Sequence, residues 1–185
     1  MEVNPFATDL SAGYLALHPF GRVPTLGDDD FTLYETTAIT RYVDEAFDEP
    51  ALQPSAPRAR ARVNQILSIV DSYVCWPLVR QVFSHGVMGP RIGSPSDTVE
   101  YQKGLAAAPH ILQALDRLVG SSAFLVGEAV TLADIHLAPM MSYFTSATDG
   151  FDLLQKHDRL HAWWTEISAR PAFMDTRPLL PELSV

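Results

Sequence analysis

The chain is 185 residues long and 47% apolar, enough to bury a sizeable core in one or two compact units. Its 22 acidic residues against 13 basic ones give a formal net charge of −9, with no basic block to neutralise a phosphate backbone, which argues against nucleic acid as a partner. A single cysteine, Cys75, excludes an intrachain disulfide, and no Cys/His cluster has zinc-ligand spacing, so neither a disulfide scaffold nor a metal site is expected. The first twenty residues contain Glu2 and Asp9 and no apolar core of signal-peptide length, and no apolar run is read as a membrane span. A soluble, cytoplasmic protein is the expectation.

In chain order, the first informative stretch is His18-Pro-Phe-Gly-Arg-Val-Pro-Thr-Leu26. Proline fixes φ and removes a donor, so Val23-Pro24 before an apolar run reads as a sharp entry into a strand, through a trans or a cis bond. Such an entry leaves the Val23 N–H and C=O facing outward, able to pair with a peptide-shaped ligand as a sheet edge would. The strand Thr25-Leu26, the acidic turn Gly27-Asp28-Asp29-Asp30 and the alternating strand Phe31-Thr32-Leu33-Tyr34 together read as a hairpin. Glu35-Thr36 then opens a helix whose first-turn N–H groups and positive dipole end suit a carboxylate, while Glu35 suits an ammonium. A γ-glutamyl group carries both charges on one carbon.

The helix continues with Ile39, Tyr42, Val43 and Phe47 at helical spacing. Residues 49–57 hold three prolines, Pro50, Pro54 and Pro57, and read as a stiff connector between a domain at 1–48 and a second domain at 58–185. The second domain reads as helical almost throughout. Val63, Ile66, Leu67, Val70 and Val74 make one apolar stripe, and Leu105, Ile111, Leu112, Leu115 and Leu118 another, with kinks expected at Pro77 and Pro109. In Val130-Thr131-Leu-Ala-Asp134-Ile135, Thr131 falls at N-cap and Asp134 at N3. That spacing is a capping box, flanked by Val130 and Ile135 as a hydrophobic staple.

The segment from His18 to Ile39 resembles the Asn-Pro-x-Gly-x-Val-Pro … Glu-Ser-x-Ala-Ile pattern of cytosolic glutathione transferases. His18 stands where Asn is usual and Thr36 where Ser is usual, and the spacing between Arg22 and Glu35 is similar to that of phi- and theta-like bacterial and plant branches. Gly127-x-x-x-Thr131-x-Ala133-Asp134 and Trp163 to Phe173 resemble the core-helix start and the Arg-Pro-Ala-Phe stop of the same family. The resemblance implies an incomplete thioredoxin-like α/β domain followed by an all-α helical bundle. It implies a detoxifying transferase that joins the glutathione thiol to small hydrophobic electrophiles, with glutathione as co-substrate and no other cofactor.

By the same resemblance Arg22 meets the glycyl carboxylate, Val23 and Pro24 present backbone to the ligand, and Glu35 and Thr36 hold the γ-glutamyl group. Asp9 and Leu10 stand where some phi-like members carry a His-Lys pair, which weakens the expected grip on the glycyl end. Tyr73, Trp76 and Arg80 are candidates for the electrophile pocket, and Phe20 for insertion into a partner subunit of a homodimer. Thr131 and Asp134 serve folding. Family members begin with a strand and helix ahead of the position of Met1, roughly 25 residues of ordinary elements, and this unit carries the catalytic Ser, Tyr or Cys. The strand counted second in the family then falls at about Glu2 to Asn4, the catalytic residue is unassigned, and little conjugation is expected of the 185 residues alone. Cys75, beside Arg80, reads first as a small buried hydrophobe and second as a reactive thiol. His18 reads either as a ligand-edge contact or as a turn cap. A catalytically silent glutathione-binding or interaction module is the alternative function.

Overall fold

The computed structural model describes residues 3, 9–48, 50–178 and 180–181. The strand expected over Glu2–Asn4 lies outside the described residues apart from Val3, which belongs to no strand. The chain divides between Gln53 and Pro54 into two compact units, Met1–Gln53 and Pro54–Val185.

In the first unit, helix α1 (Ala12–Leu17) is capped by Ser11, whose hydroxyl accepts from the Tyr14 N–H at 3.2 Å. Strands β1 (Thr25–Asp28) and β2 (Phe31–Tyr34) pair antiparallel, with Thr25 opposite Tyr34 and Asp28 opposite Phe31. The strand is longer than the sequence suggested, because Gly27 and Asp28 join the ladder and leave a two-residue loop. Asp29 takes a φ of +49° there, a conformation short polar side chains tolerate better than most. The Tyr42 hydroxyl donates to the Asp28 carboxylate and so fastens helix α2 (Thr36–Ala46) to the hairpin; that bond and partial burial raise the Tyr42 pKa. None of the α2 side chains is buried, and Val43 and Phe47 are 42% and 55% exposed. Asp44 accepts from the backbone N–H groups of Leu52 (2.6 Å) and Gln53 (3.1 Å), tying the start of the proline-rich segment to α2.

The second unit is built around one continuous 35-residue helix, Pro57–Arg91. It runs as α3 (Pro57–Ile69), a wider π-helical stretch (Val70–Met88) and α4 (Gly89–Arg91). The wide winding shows in bonds that span five residues: the Gly89 N–H donates to the Ser84 carbonyl, and the Ser84 hydroxyl to the Val79 carbonyl. Pro77, which has no N–H to offer, sits inside this stretch. By length, and by the mean hydropathy of an 18-residue stretch within it (1.2), this helix is long and apolar enough to cross a membrane, although no apolar run was read as a span from the sequence. Its hydropathy has another source, since Val63, Ile66, Val70, Val74, Leu78 and Val82 are at most 1% exposed in the bundle core.

Helix α5 (Thr98–Val119) packs along the π-helical stretch, meeting Pro77, Gln81 and Val82 at Gly104, and buries Ala108, Ile111, Leu112, Leu115 and Val119 as well. Of the apolar stripe read from the sequence, Ile111, Leu112 and Leu115 are buried, whereas Leu105 and Leu118 are only half-buried. Close approach selects small residues at the contact: a β-carbon on Gly104 would lie 2.6 Å from the Pro77 carbonyl oxygen. Helix α6 (Leu132–Thr145) occupies the core, followed by α7 (Thr148–Leu154), α8 (Asp158–Ser168) and α9 (Pro171–Thr176). Its capping box is formed, and Asp134, fully buried, accepts four hydrogen bonds. The donors are the N–H groups of Leu125 (2.9 Å) and Thr131 (2.8 Å), the Thr131 hydroxyl (2.8 Å) and the Trp163 indole (2.8 Å). Ile135, read as half of a staple with Val130, is 42% exposed. The buried His136 reaches Asp71 at 2.7 Å and links α6 to the π-helical stretch.

Candidate functional site

The register of the hairpin sets the geometry of the candidate site. Thr25 faces Tyr34 as its outermost pair, so Val23-Pro24 and Glu35-Thr36 are the next positions outward on the two arms and share one end of the hairpin. Four of the five residues assigned to ligand binding, Arg22, Val23, Glu35 and Thr36, flank that end, and the fifth, Pro24, follows Val23 through a cis peptide bond. All five are exposed. Among the described residues, neither the N–H nor the C=O of Val23 makes a hydrogen bond, and the residue is 47% exposed.

Across from it, Glu35 holds φ +75° and ψ 117°, a conformation costly for a residue with a β-carbon. Thr36 then begins α2, and Glu35 accepts from the Ile39 N–H at 3.0 Å, which closes the first turn. The positive end of the helix dipole therefore stands beside an exposed carboxylate and the Thr36 hydroxyl. A group bearing an anion and a cation a bond or two apart matches that pair of charges.

The loop behind these residues is held from below. Tyr14, 4% exposed, donates its hydroxyl proton to the Arg22 carbonyl and lies 3.2 Å from the Thr25 hydroxyl. The His18 carbonyl accepts from the Gly21 N–H at 2.9 Å, closing the turn in which Gly21 takes a φ of +60°. His18 itself is 2% exposed with its ring 4.8 Å from that of Tyr34, so it packs beneath the loop. Phe20 stands 70% exposed above it, edge-on to Tyr34. A cavity of about 460 Å³ opens beside the outer edge of β1, lined in part by Tyr14, Leu17, Val23, Pro24, Thr25 and Gly27.

Sequence reading missed Tyr14 and Thr25. The one signal for Tyr14 was its place four residues before His18, an aromatic pair at the two ends of a short helical segment; Thr25 had none.

In the helical unit, Tyr73 and Trp76 are 64% and 65% exposed, and Arg80 further along the same helix is exposed as well. Cys75 is half-buried, not the buried hydrophobe expected. A second cavity, about 390 Å³, lies among Gly86, Pro90, Arg91, Tyr101, Thr148 and Asp149. There the Tyr101 hydroxyl donates to Asp149 at 2.8 Å, and burial together with that bond pushes the phenol up to about 12. Among the described residues no three His, Cys, Asp or Glu side chains are grouped to hold a metal ion.

Two family models match this chain, that of the glutathione S-transferase N-terminal domain over residues 2–46 and that of the C-terminal domain over residues 75–171. The chain belongs to the glutathione S-transferase family. It is 29% identical over 181 residues to glutathione S-transferase F13 of Arabidopsis thaliana, covering 96% of this chain and 82% of that one. Glutathione S-transferase F12 of the same plant is 32% identical over 162 residues, covering 86% and 75%. The crystal structure of glutathione transferase F2 from Populus trichocarpa superposes with a TM-score of 0.78 at 27% identity, over 89% of this chain and 78% of that one. The architecture is accordingly the glutathione S-transferase fold: a thioredoxin-like N-terminal unit, with a two-stranded sheet among the described residues, and a helical C-terminal unit.

Proposed function

We propose that this glutathione S-transferase binds glutathione at the open end of its hairpin and transfers the thiol to a small apolar electrophile. The observation that carries the reading is the placement of an unengaged Val23 backbone opposite Glu35 and Thr36 at a helix N-terminus. Glu35 takes the ammonium and the first turn of α2 with the Thr36 hydroxyl takes the carboxylate of the γ-glutamyl group. Val23 pairs with the cysteinyl peptide, with Pro24 fixing its direction, and Arg22 meets the glycyl carboxylate. Tyr73, Trp76 and Arg80 form the surface that receives the electrophile. The domain limits stay at 1–48 and 58–185, joined by 49–57. The phi- and theta-like branch, a cytoplasmic detoxifying role without membrane or nucleic-acid partners, and a homodimer with Phe20 at its interface belong to the same reading.

The thiol-activating residue is unassigned. One observation favours the second reading, a silent glutathione-binding module: the Tyr14 hydroxyl, the described phenol nearest Val23-Pro24 in sequence, is directed at a backbone carbonyl and not outward. Turnover of a general aryl halide separates the two. Conjugation supports the transferase, and its loss in Cys75→Ala would make Cys75 the activating group. The site itself is tested by amide NMR during titration with glutathione, where Val23, Thr36 and Thr37 are expected to shift. Shifts confined to the helical unit would refute it.

A further inference from the structure

We infer that Tyr14 is a positioning residue for glutathione, its hydroxyl setting the direction in which the Val23 N–H points. This inference rests on the proposed glutathione site. The carbonyl of Arg22 and the N–H of Val23 belong to one planar peptide unit and, in the trans form, point to opposite sides of the chain. The Tyr14 hydroxyl holds that carbonyl on the inner side of the loop. The Val23 N–H is thereby turned outward, where it meets no partner among the described residues and stands ready for a ligand carbonyl.

A phenol has one proton to give. Since the Tyr14 proton goes to Arg22, the 3.2 Å contact with Thr25 has the Thr25 hydroxyl as donor and the Tyr14 oxygen as acceptor. The relay Thr25 to Tyr14 to Arg22 thus spans Val23-Pro24, gripping the residue before the pair and the residue after it. Tyr14 is itself fixed. It is 4% exposed, lies on a helix capped three residues earlier by Ser11, and its ring stands 6.3 Å from that of the buried His18. Phenylalanine would keep the ring and its packing while releasing the carbonyl, and the peptide unit could then rotate.

The test is Tyr14→Phe in the full chain, with glutathione as the probe. Calorimetry is expected to show glutathione affinity falling about tenfold, the scale of one hydrogen bond withdrawn. Hydrogen exchange distinguishes positioning from general weakening. With saturating glutathione, the Val23 amide is expected to be protected in wild type and unprotected in Tyr14→Phe, while Thr36 remains protected in both. Adding Glu35→Ala to Tyr14→Phe is expected to lower affinity further by the factor seen in wild type, since the two residues act on different parts of the ligand. Wild type that binds glutathione and a Tyr14→Phe variant that binds equally well would overturn the inference and leave the site standing. Equal loss of protection at Val23 and Thr36 would also overturn it, reducing Tyr14 to a structural role. Wild type that does not bind glutathione would bring down the site and this inference together.

Discussion

Asparagine at position 134 is nearly the shape of aspartate, so Asp134→Asn isolates what the carboxylate does. One carboxylate oxygen accepts from the Leu125 N–H and the Trp163 indole, and the other from the N–H and the hydroxyl of Thr131. An amide keeps only one acceptor oxygen. If it faces Leu125 and Trp163, the NH₂ group confronts the Thr131 N–H; the Thr131 hydroxyl can turn to accept, but one backbone donor is left dry. If the amide flips, two donors are left dry. Asp134 is 0% exposed, so water offers no rescue. One unsatisfied buried donor costs about 1–3 kcal/mol, and exchanging charge-assisted bonds for neutral ones about 1 kcal/mol more, giving about 3 kcal/mol in total. For a chain of this size that corresponds to a fall of about 6–12 °C in Tm. Urea unfolding followed by tryptophan fluorescence, with Trp163 reporting from the site, measures it directly. An unfolding free energy within about 0.5 kcal/mol of wild type at unchanged slope would refute the reasoning.

Three further outcomes follow. Gly104→Ala adds a β-carbon 2.6 Å from the Pro77 carbonyl, so the variant is expected to lose about 2 kcal/mol or more although alanine gains about 1 kcal/mol in helix propensity; a chemical-denaturation midpoint above wild type would show that the helices can move apart freely. Asp97 caps α5 through the N–H groups of Val99 and Glu100, and these bonds hold its carboxyl below the ordinary 3.8. A depressed folded pKa gives stability that is present above 3.8 and is lost as pH falls through the folded value, so Asp97→Asn, which also caps, is expected to flatten the acid limb of the Tm profile below pH about 4 with little change at pH 7. An unchanged acid limb would remove Asp97 from the account. Phe20, 70% exposed, is expected to lie in a homodimer interface, so Phe20→Ser should raise the dimer dissociation constant in sedimentation runs; an unchanged constant would place the interface elsewhere.

What could be read from the sequence is what short-range chemistry dictates. The Val23-Pro24 entry, the hairpin and the Thr131/Asp134 box depend on residues at most nine positions apart, where proline, strand alternation and capping leave few conformations. Contacts set by tertiary approach were not legible. The Trp163 bond to Asp134 spans 29 residues and has no local signal. In α5, hydropathy put Leu105 and Leu118 in the apolar stripe, whereas the close approach to Pro77 required Gly104, because a helix that approaches another closely needs a small side chain at the contact. Tyr14 was missed because Ala12-Gly-Tyr-Leu-Ala-Leu17 is too short for a periodicity to emerge, and the value of its hydroxyl appears only once the Arg22 carbonyl is seen beside it.

The central claim, that Glu35 and its helix start hold the γ-glutamyl end of glutathione beside Val23, is tested most directly by calorimetric titration of glutathione into wild type and Glu35→Ala at one salt concentration. Loss of a charge-assisted hydrogen bond predicts an affinity lower by about 1.5–3 kcal/mol in the variant, roughly 10- to 150-fold. Equal affinities in the two proteins would contradict the account.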